Sequence, residues 1–266
     1  MRKVINSLVV ETSGKQSNQA IVFIHGFPFD HTMWENQVNV FKKNYYCVAY
    51  DIRGLGASYV GDAQYTMQAF VADLFSIISG LNLKNPIICG LSMGGYIALR
   101  AVELNQNIFK ALILCDTKAD ADTDSAKLAR SEKINQINVD GLEVFIDEFV
   151  PNCFCDEFIK EKSKIVFEVI AKAKSLNPLG VKGSLLAMMT RTSTSDYLKN
   201  IIIPTLAVCG SFDTLTPTTV MRNMAEQIPY CEFAVAPRAG HLAPLENPEF
   251  VNDAIGGFLK KIGVGF

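Results

Sequence analysis

Five residues, Gly90-Leu91-Ser92-Met93-Gly94, carry the most chemical information in this 266-residue chain. A short apolar run, Pro86-Ile87-Ile88-Cys89, leads into them, and a helix-forming run, Tyr96-Ile97-Ala98-Leu99-Arg100, leads out. A strand that turns through G-x-S-x-G into a helix is the signature of a nucleophile elbow. A serine hydroxyl is a weak nucleophile until a fold presents it and a base takes its proton. The elbow presents it on a tight turn, and glycines two positions away on either side keep that turn uncrowded. The predicted chemistry is attack by Ser92 on an electrophilic carbonyl.

Such chemistry requires a base, an acid to orient the base, and donors for the developing oxyanion. Where the nucleophile sits on such an elbow, the chain order is serine, acid, histidine. Of the three histidines only His241 follows Ser92. It lies in Arg238-Ala239-Gly240-His241-Leu242, just past the strand-like run Cys231-Glu232-Phe233-Ala234-Val235. The expected acid is Asp213, in Cys209-Gly210-Ser211-Phe212-Asp213-Thr214-Leu215-Thr216-Pro217. A carboxylate there would fix the imidazole tautomer and stabilise its protonated form. A turn aspartate capping the helix at Pro217 is the plainer use of the same residue. Asp116, which ends the run Ala111 to Cys115, is the rival acid, and Asp213 is preferred. The expected oxyanion donors are backbone amides. Met93 follows the nucleophile, and Phe27 lies in His25-Gly26-Phe27-Pro28, where Pro28 has no N–H to offer. His25 is read as pinning this loop through a backbone hydrogen bond. Pro28, Phe29 and Trp34 are expected to line an apolar pocket, with core packing an equal alternative for Trp34.

Apolar runs of strand length alternate with helix-period runs through most of the chain. Ile21 to Ile24, Cys47 to Tyr50, Ile87 to Cys89, Ala111 to Cys115, Thr205 to Cys209 and Cys231 to Val235 read as strands. Met1 to Val10 reads as a first strand. Thr66 to Leu81 carries one apolar helical face, and Thr216-Pro217 and Asn247-Pro248 read as helix starts. Continuous apolar strands separated by helices predict a parallel sheet covered on both faces. From about Thr117 to Lys199 the strand signal stops, and helix-period segments fill the gap at Ile134–Val150, Phe154–Ala173 and Val181–Met189. The expected organisation is a core of residues 1–116 and 200–266 with a helical cap, 117–199, inserted over the site. The acidic cluster Asp116, Asp120, Asp122 and Asp124 at its start reads as a solvated turn with helix caps.

Composition narrows the partners. A formal charge of −2 and the lack of a Lys/Arg stripe or basic-aromatic array argue against nucleic acid and anionic membrane. No apolar stretch approaches the ~20 residues of a membrane helix. The basic start, Met1-Arg2-Lys3, reaches no small-residue cleavage site. Seven scattered cysteines suggest a reducing, cytoplasmic setting and buried thiols, with no disulfide framework. Three histidines without H-E-x-x-H predict no metal and no other cofactor.

The chain resembles α/β-hydrolase-fold serine hydrolases, in particular the capped carboxylesterase, 3-oxoadipate enol-lactonase and cofactor-free haloperoxidase (perhydrolase) group. Four motifs carry the resemblance, in the family's order: His25-Gly26-Phe27-Pro28-Phe29-Asp30 through Trp34; Asp51-Ile52-Arg53-Gly54-Leu55-Gly56-Ala57-Ser58; Gly90 to Gly95; and Gly240-His241 with Glu246-Asn247-Pro248-Glu249. The second implies a structural turn, so Gly54-x-Gly56 is no dinucleotide fingerprint. The resemblance implies acyl transfer through an ester on Ser92, with a small-molecule ester or lactone as substrate. A serine on the elbow argues against dehalogenases and epoxide hydrolases, which in this fold carry aspartate there. Proline at position 28 resembles the perhydrolases, and its carbonyl is expected to accept a hydrogen bond from attacking peroxide. A lactonase would need a cation for the substrate carboxylate. Arg130 and Arg191 are the arginines of the 117–199 segment, and both are expected on the surface, which favours small or medium apolar acyl esters. A slow-turnover ligand receptor on the same fold is the alternative from another class.

Overall fold

The computed structural model describes residues 1–264. The elements in chain order are β1 (Arg2–Ile5), β2 (Leu8–Ser13), β3 (Ala20–Ile24), α1 (Glu35–Phe41), β4 (Tyr46–Tyr50), α2 (Met67–Gly80), β5 (Ile87–Leu91), α3 (Met93–Asn105) and β6 (Ala111–Cys115). Next come five helices, α4 (Asp124–Val139), α5 (Leu142–Phe149), α6 (Asp156–Glu161), α7 (Ser163–Lys174) and α8 (Pro178–Thr190). The chain closes with β7 (Thr205–Gly210), α9 (Thr218–Glu226), β8 (Cys231–Ala236), α10 (Ala243–Glu246) and α11 (Pro248–Lys261).

The eight strands form one sheet in the order β1-β2-β4-β3-β5-β6-β7-β8. All pairings from β4 to β8 are parallel, and β1 and β2 add an antiparallel edge. Every residue of β3, β4, β5, β6 and β7 is buried, as strands covered by helices on both faces require. Strand order reverses around β3: the chain goes to β4 on one side, then returns to β5 on the other. The crevice beyond the carboxyl ends of strands at such a switch is where open α/β sheets bind ligands. His25 follows β3 there, and Ser92 follows β5.

The expected first strand is two. Asn6 and Ser7 have φ of 49° and 64°, so the chain folds back in a two-residue hairpin between β1 and β2. In the helical stretch, the expected Ile134–Val150 helix breaks at Gly141, whose φ of 94° interrupts α-helical geometry between α4 and α5. Asn247 caps α11 as expected, accepting from the Phe250 amide with Pro248 in the first turn. Thr216 does not cap α9: the helix begins at Thr218 with Pro217 at the cap position, and the Thr216 hydroxyl donates to Asp213. All seven cysteines are free, and all but Cys231 are buried.

Candidate active site

The elbow forms as its sequence demands. Ser92 has φ 53° and ψ −114°, a conformation that costs a non-glycine residue about 1–3 kcal/mol and must be held by its surroundings. The hold is visible: the Ser92 amide donates to the Cys115 carbonyl at 3.0 Å, and its own carbonyl accepts from the Gly95 and Tyr96 amides and the Thr117 hydroxyl. A Cβ on Gly90 would lie 2.3 Å from the Gly94 carbonyl oxygen, and one on Gly94 would lie 2.2 Å from that of Ile24. Both glycines are therefore needed for close backbone passage.

Three side chains from three strand ends meet in one line. His241 Nε2 lies 2.8 Å from Ser92 Oγ, and His241 Nδ1 lies 2.9 Å from Asp213 Oδ2. Asp213 is itself fixed. Its Oδ1 accepts from the Leu215 and Thr216 amides, and its Oδ2 from the Thr216 hydroxyl at 2.5 Å. Burial pushes its carboxyl up, but the neighbouring His241 and these hydrogen bonds outweigh burial and bring the pKa down to about 2. Asp213 is thus ionised throughout the neutral range.

The rival acid has another task. Asp116 is fully buried and accepts from the Gly210 amide at 2.8 Å and the Ala243 amide at 3.3 Å, bracing the loops that carry Asp213 and His241. Burial, then the charge of Asp213, pushes its carboxyl well above the usual range. His25 pins its loop from both ring nitrogens, with Nδ1 toward the Gly26 carbonyl at 2.8 Å and Nε2 accepting from the Ile52 amide at 2.9 Å. Burial lowers its pKa, consistent with a neutral ring that donates at Nδ1. The amides of Phe27 and Met93 have no acceptor among the described residues.

Ser92 and His241 open into a cavity of about 190 Å³. Phe27, Tyr96, Phe149 and Met188 supply apolar wall, while Lys118, Arg130 and Lys133 supply cations and Asp122 the opposing carboxylate. The expectation of an apolar pocket with Arg130 on the surface is therefore corrected. Asp122 is buried rather than solvated. It takes Arg130 Nε at 2.5 Å and pairs with Arg191 at 2.8 Å, which draws both arginines inward. Arg191 is also buried, its guanidinium 4.0 Å from the centre of the Tyr96 ring. The terminal nitrogens of Arg130 have no acceptor among the described residues, and Lys133 has only the face of Phe149, 4.8 Å away. Burial, with the Arg130 charge behind it, lowers the Lys133 pKa.

The residues expected as pocket lining lie elsewhere. Trp34 is fully buried and packs on Phe23 at 5.2 Å, because the 3-10 turn His31–Trp34 tucks it under β3. Pro28 and Phe29 line a separate cavity of about 220 Å³, formed with α7 and Leu242, and are not among the residues around Ser92. Sequence reading missed Lys118, Lys133 and Phe149. Lys133 and Phe149 are placed by the packing of α4 and α5, which no local motif encodes, and Lys118 lies in the loop just past β6. One group has spacing suited to a cation: ligand atoms of Asp30, His31 and Asp51 lie within 4.8 Å of one another. Asp51 already accepts from the His31 amide, the Ala57 amide and the His31 ring, and the group is not part of the Ser92 cavity.

A sequence profile of the alpha/beta hydrolase family matches residues 21–254. The chain is 30% identical over 256 residues to 3-oxoadipate enol-lactonase 1 of Acinetobacter baylyi, covering 96% of this chain and 94% of that one. Among solved structures it is similar to a thermophilic esterase from Thermogutta terrifontis, determined with malate bound. There the TM-score is 0.93 and the identity 32%, over 98% of this chain and 99% of that one. A bromoperoxidase from Bacillus anthracis shares the fold at a TM-score of 0.88 and 22% identity, over 98% and 100% of the two chains. No helix among the described residues is long and apolar enough to cross a membrane.

Proposed function

The chain belongs to the alpha/beta hydrolase family, and on that premise we propose that it hydrolyses small carboxylic esters through an acyl-enzyme on Ser92. The observation that carries this reading is the unbroken line Ser92 Oγ–His241–Asp213, at 2.8 and 2.9 Å. His241 Nε2 takes the serine proton as Ser92 attacks the ester carbonyl and returns it to the leaving alcohol. Asp213 holds the Nδ1 proton and balances the imidazolium. The amides of Phe27 and Met93 donate to the oxyanion, each contributing roughly 3 kcal/mol by comparison with other oxyanion holes. Water activated by His241 then frees the acid. Residues 117–199 act as the cap, and their inner face selects the substrate.

That face favours a second, narrower reading, in which the substrate is an ester or lactone that carries its own carboxylate. Arg130 and Lys133 line the cavity with donors that no acceptor among the described residues satisfies. A relative of the chain is named as an enol-lactonase, and a similar esterase was solved with malate bound. The test is a panel of p-nitrophenyl esters, acetate to octanoate plus the hemisuccinate, and a simple γ-lactone, each with Ser92→Ala as control. Turnover that needs Ser92 supports the hydrolase, and preference for the hemisuccinate supports the narrower reading. Tight ligand binding without turnover would point to a receptor instead.

A further inference from the structure

Glu246 ends α10, and it is buried with no cation beside it among the described residues. Its Oε1 accepts from the Gly240 amide at 2.9 Å and the Leu242 amide at 3.1 Å. Those are the residues on either side of His241. Its Oε2 accepts from the Cys155 amide at 2.8 Å, on the far side of the loop. The His241 amide donates in turn to the Cys153 carbonyl at 2.9 Å. Three consecutive amides, 240 to 242, are thus fixed, two of them by one carboxylate. Burial raises the Glu246 pKa, and the three amides work against that rise without removing it. A buried carboxylate without a cation is a costly way to fill space, and an apolar side chain would do so at lower cost. Its placement calls for a reason beyond packing.

We propose that Glu246 is a positioning residue: it holds His241 in line with Ser92 by clamping the amides on both sides of the histidine to the 153–155 segment. It does not line the cavity that holds Ser92, so it acts at a distance, through the loop that carries His241. The clamp also gives the base and the oxyanion loop a common support. Segment 153–155 follows α5, whose Phe145 and Phe149 pack on the Phe27 ring at 6.2 and 5.7 Å. The inference rests on reading His241 as the base.

The test compares Glu246→Ala, Glu246→Gln and Ser92→Ala with the parent enzyme on one p-nitrophenyl ester, with kcat and KM read separately beside thermal unfolding. A displacement of the base by about 1 Å costs on the order of 10²-fold, so kcat of Glu246→Ala falls by about that factor while KM stays within about twofold. In Glu246→Gln one carbonyl oxygen still serves Gly240 and Leu242, but the new NH2 group faces the Cys155 N–H. Its kcat therefore lies between alanine and parent, again at constant KM. If the alanine variant does not fold, the glutamine variant decides by the same split. A kcat within about twofold of the parent in the folded variants, or a loss carried by KM, overturns the proposal whatever the melting temperature does. Activity that survives Ser92→Ala sinks the underlying reading. Activity that needs Ser92 but ignores Glu246 sinks this inference alone.

Discussion

The loops beyond β3, β5, β7 and β8 face the helical stretch between β6 and β7 across Ser92, and the two sides are built differently. On the loop side, the polar side chains around Ser92 have partners. Asp213 accepts three hydrogen bonds besides that of His241, Asp116 two and His25 one, all buried. On the helical side, cations outnumber carboxylates around the cavity, and Arg130 and Lys133 keep donors without acceptors among the described residues. A saturated network cannot shift without losing bonds, which suits atoms that must stay aligned for proton transfer. An unsaturated one gains partners only when a ligand brings them, which suits recognition. On the proposed reading, the sheet side carries the chemistry and the helical side selects the substrate.

The largest expected effect tests the saturated side. Asp213→Asn removes the acceptor that fixes the His241 tautomer, and kcat should fall by about 10⁴-fold with little change in KM. A loss under about tenfold would mean the line of three is not a working triad. Next comes the anchor of the helical side. Asp122→Asn leaves Arg130 and buried Arg191 without their shared carboxylate, which should cost about 3–5 kcal/mol of stability and lower the melting temperature by several degrees. An unchanged melting temperature would show that Asp122 does not anchor this wall.

A smaller effect separates the two sides most cleanly. Arg130→Ala should raise KM for p-nitrophenyl hemisuccinate by about 10- to 100-fold, the worth of a charge-assisted hydrogen bond, and leave neutral esters nearly unchanged. Equal losses on both substrates would erase the division of labour. The smallest effect is in acid. The folded pKa of Asp213, about 2, lies below the roughly 3.9 of an unfolded aspartate. Its contribution to stability is therefore complete above about pH 4 and lost as pH falls toward 2. Asp213→Asn should flatten that part of the acid-unfolding curve, and an identical curve would show that the carboxylate gains nothing from its partners.

The loop side was legible in the sequence because each of its residues sits directly after an apolar run. Ser92 lies between two spaced glycines, Asp213 a few residues past Cys209, and His241 past Val235. Strand ends of a parallel sheet gather at one edge, so chain-local signals were enough to bring those side chains together. The helical side was not legible. Arg130, Lys133 and Phe149 reach the cavity through the packing of α4 and α5 after the break at Gly141, and surface lysines share the same sequence pattern. Asp122 read as a solvated turn residue because its partners Arg130 and Arg191 lie 8 and 69 positions away. Trp34 was legible only as pocket or core alike, and its packing on Phe23 beneath β3 decides for core.

The central claim is that Ser92 is the nucleophile, and kcat/KM for p-nitrophenyl acetate in the parent enzyme and in Ser92→Ala tests it most directly. A fall of about 10⁴-fold or more, with the variant folded and its melting temperature near that of the parent, is the predicted result. Hydrolysis that persists in Ser92→Ala would contradict it.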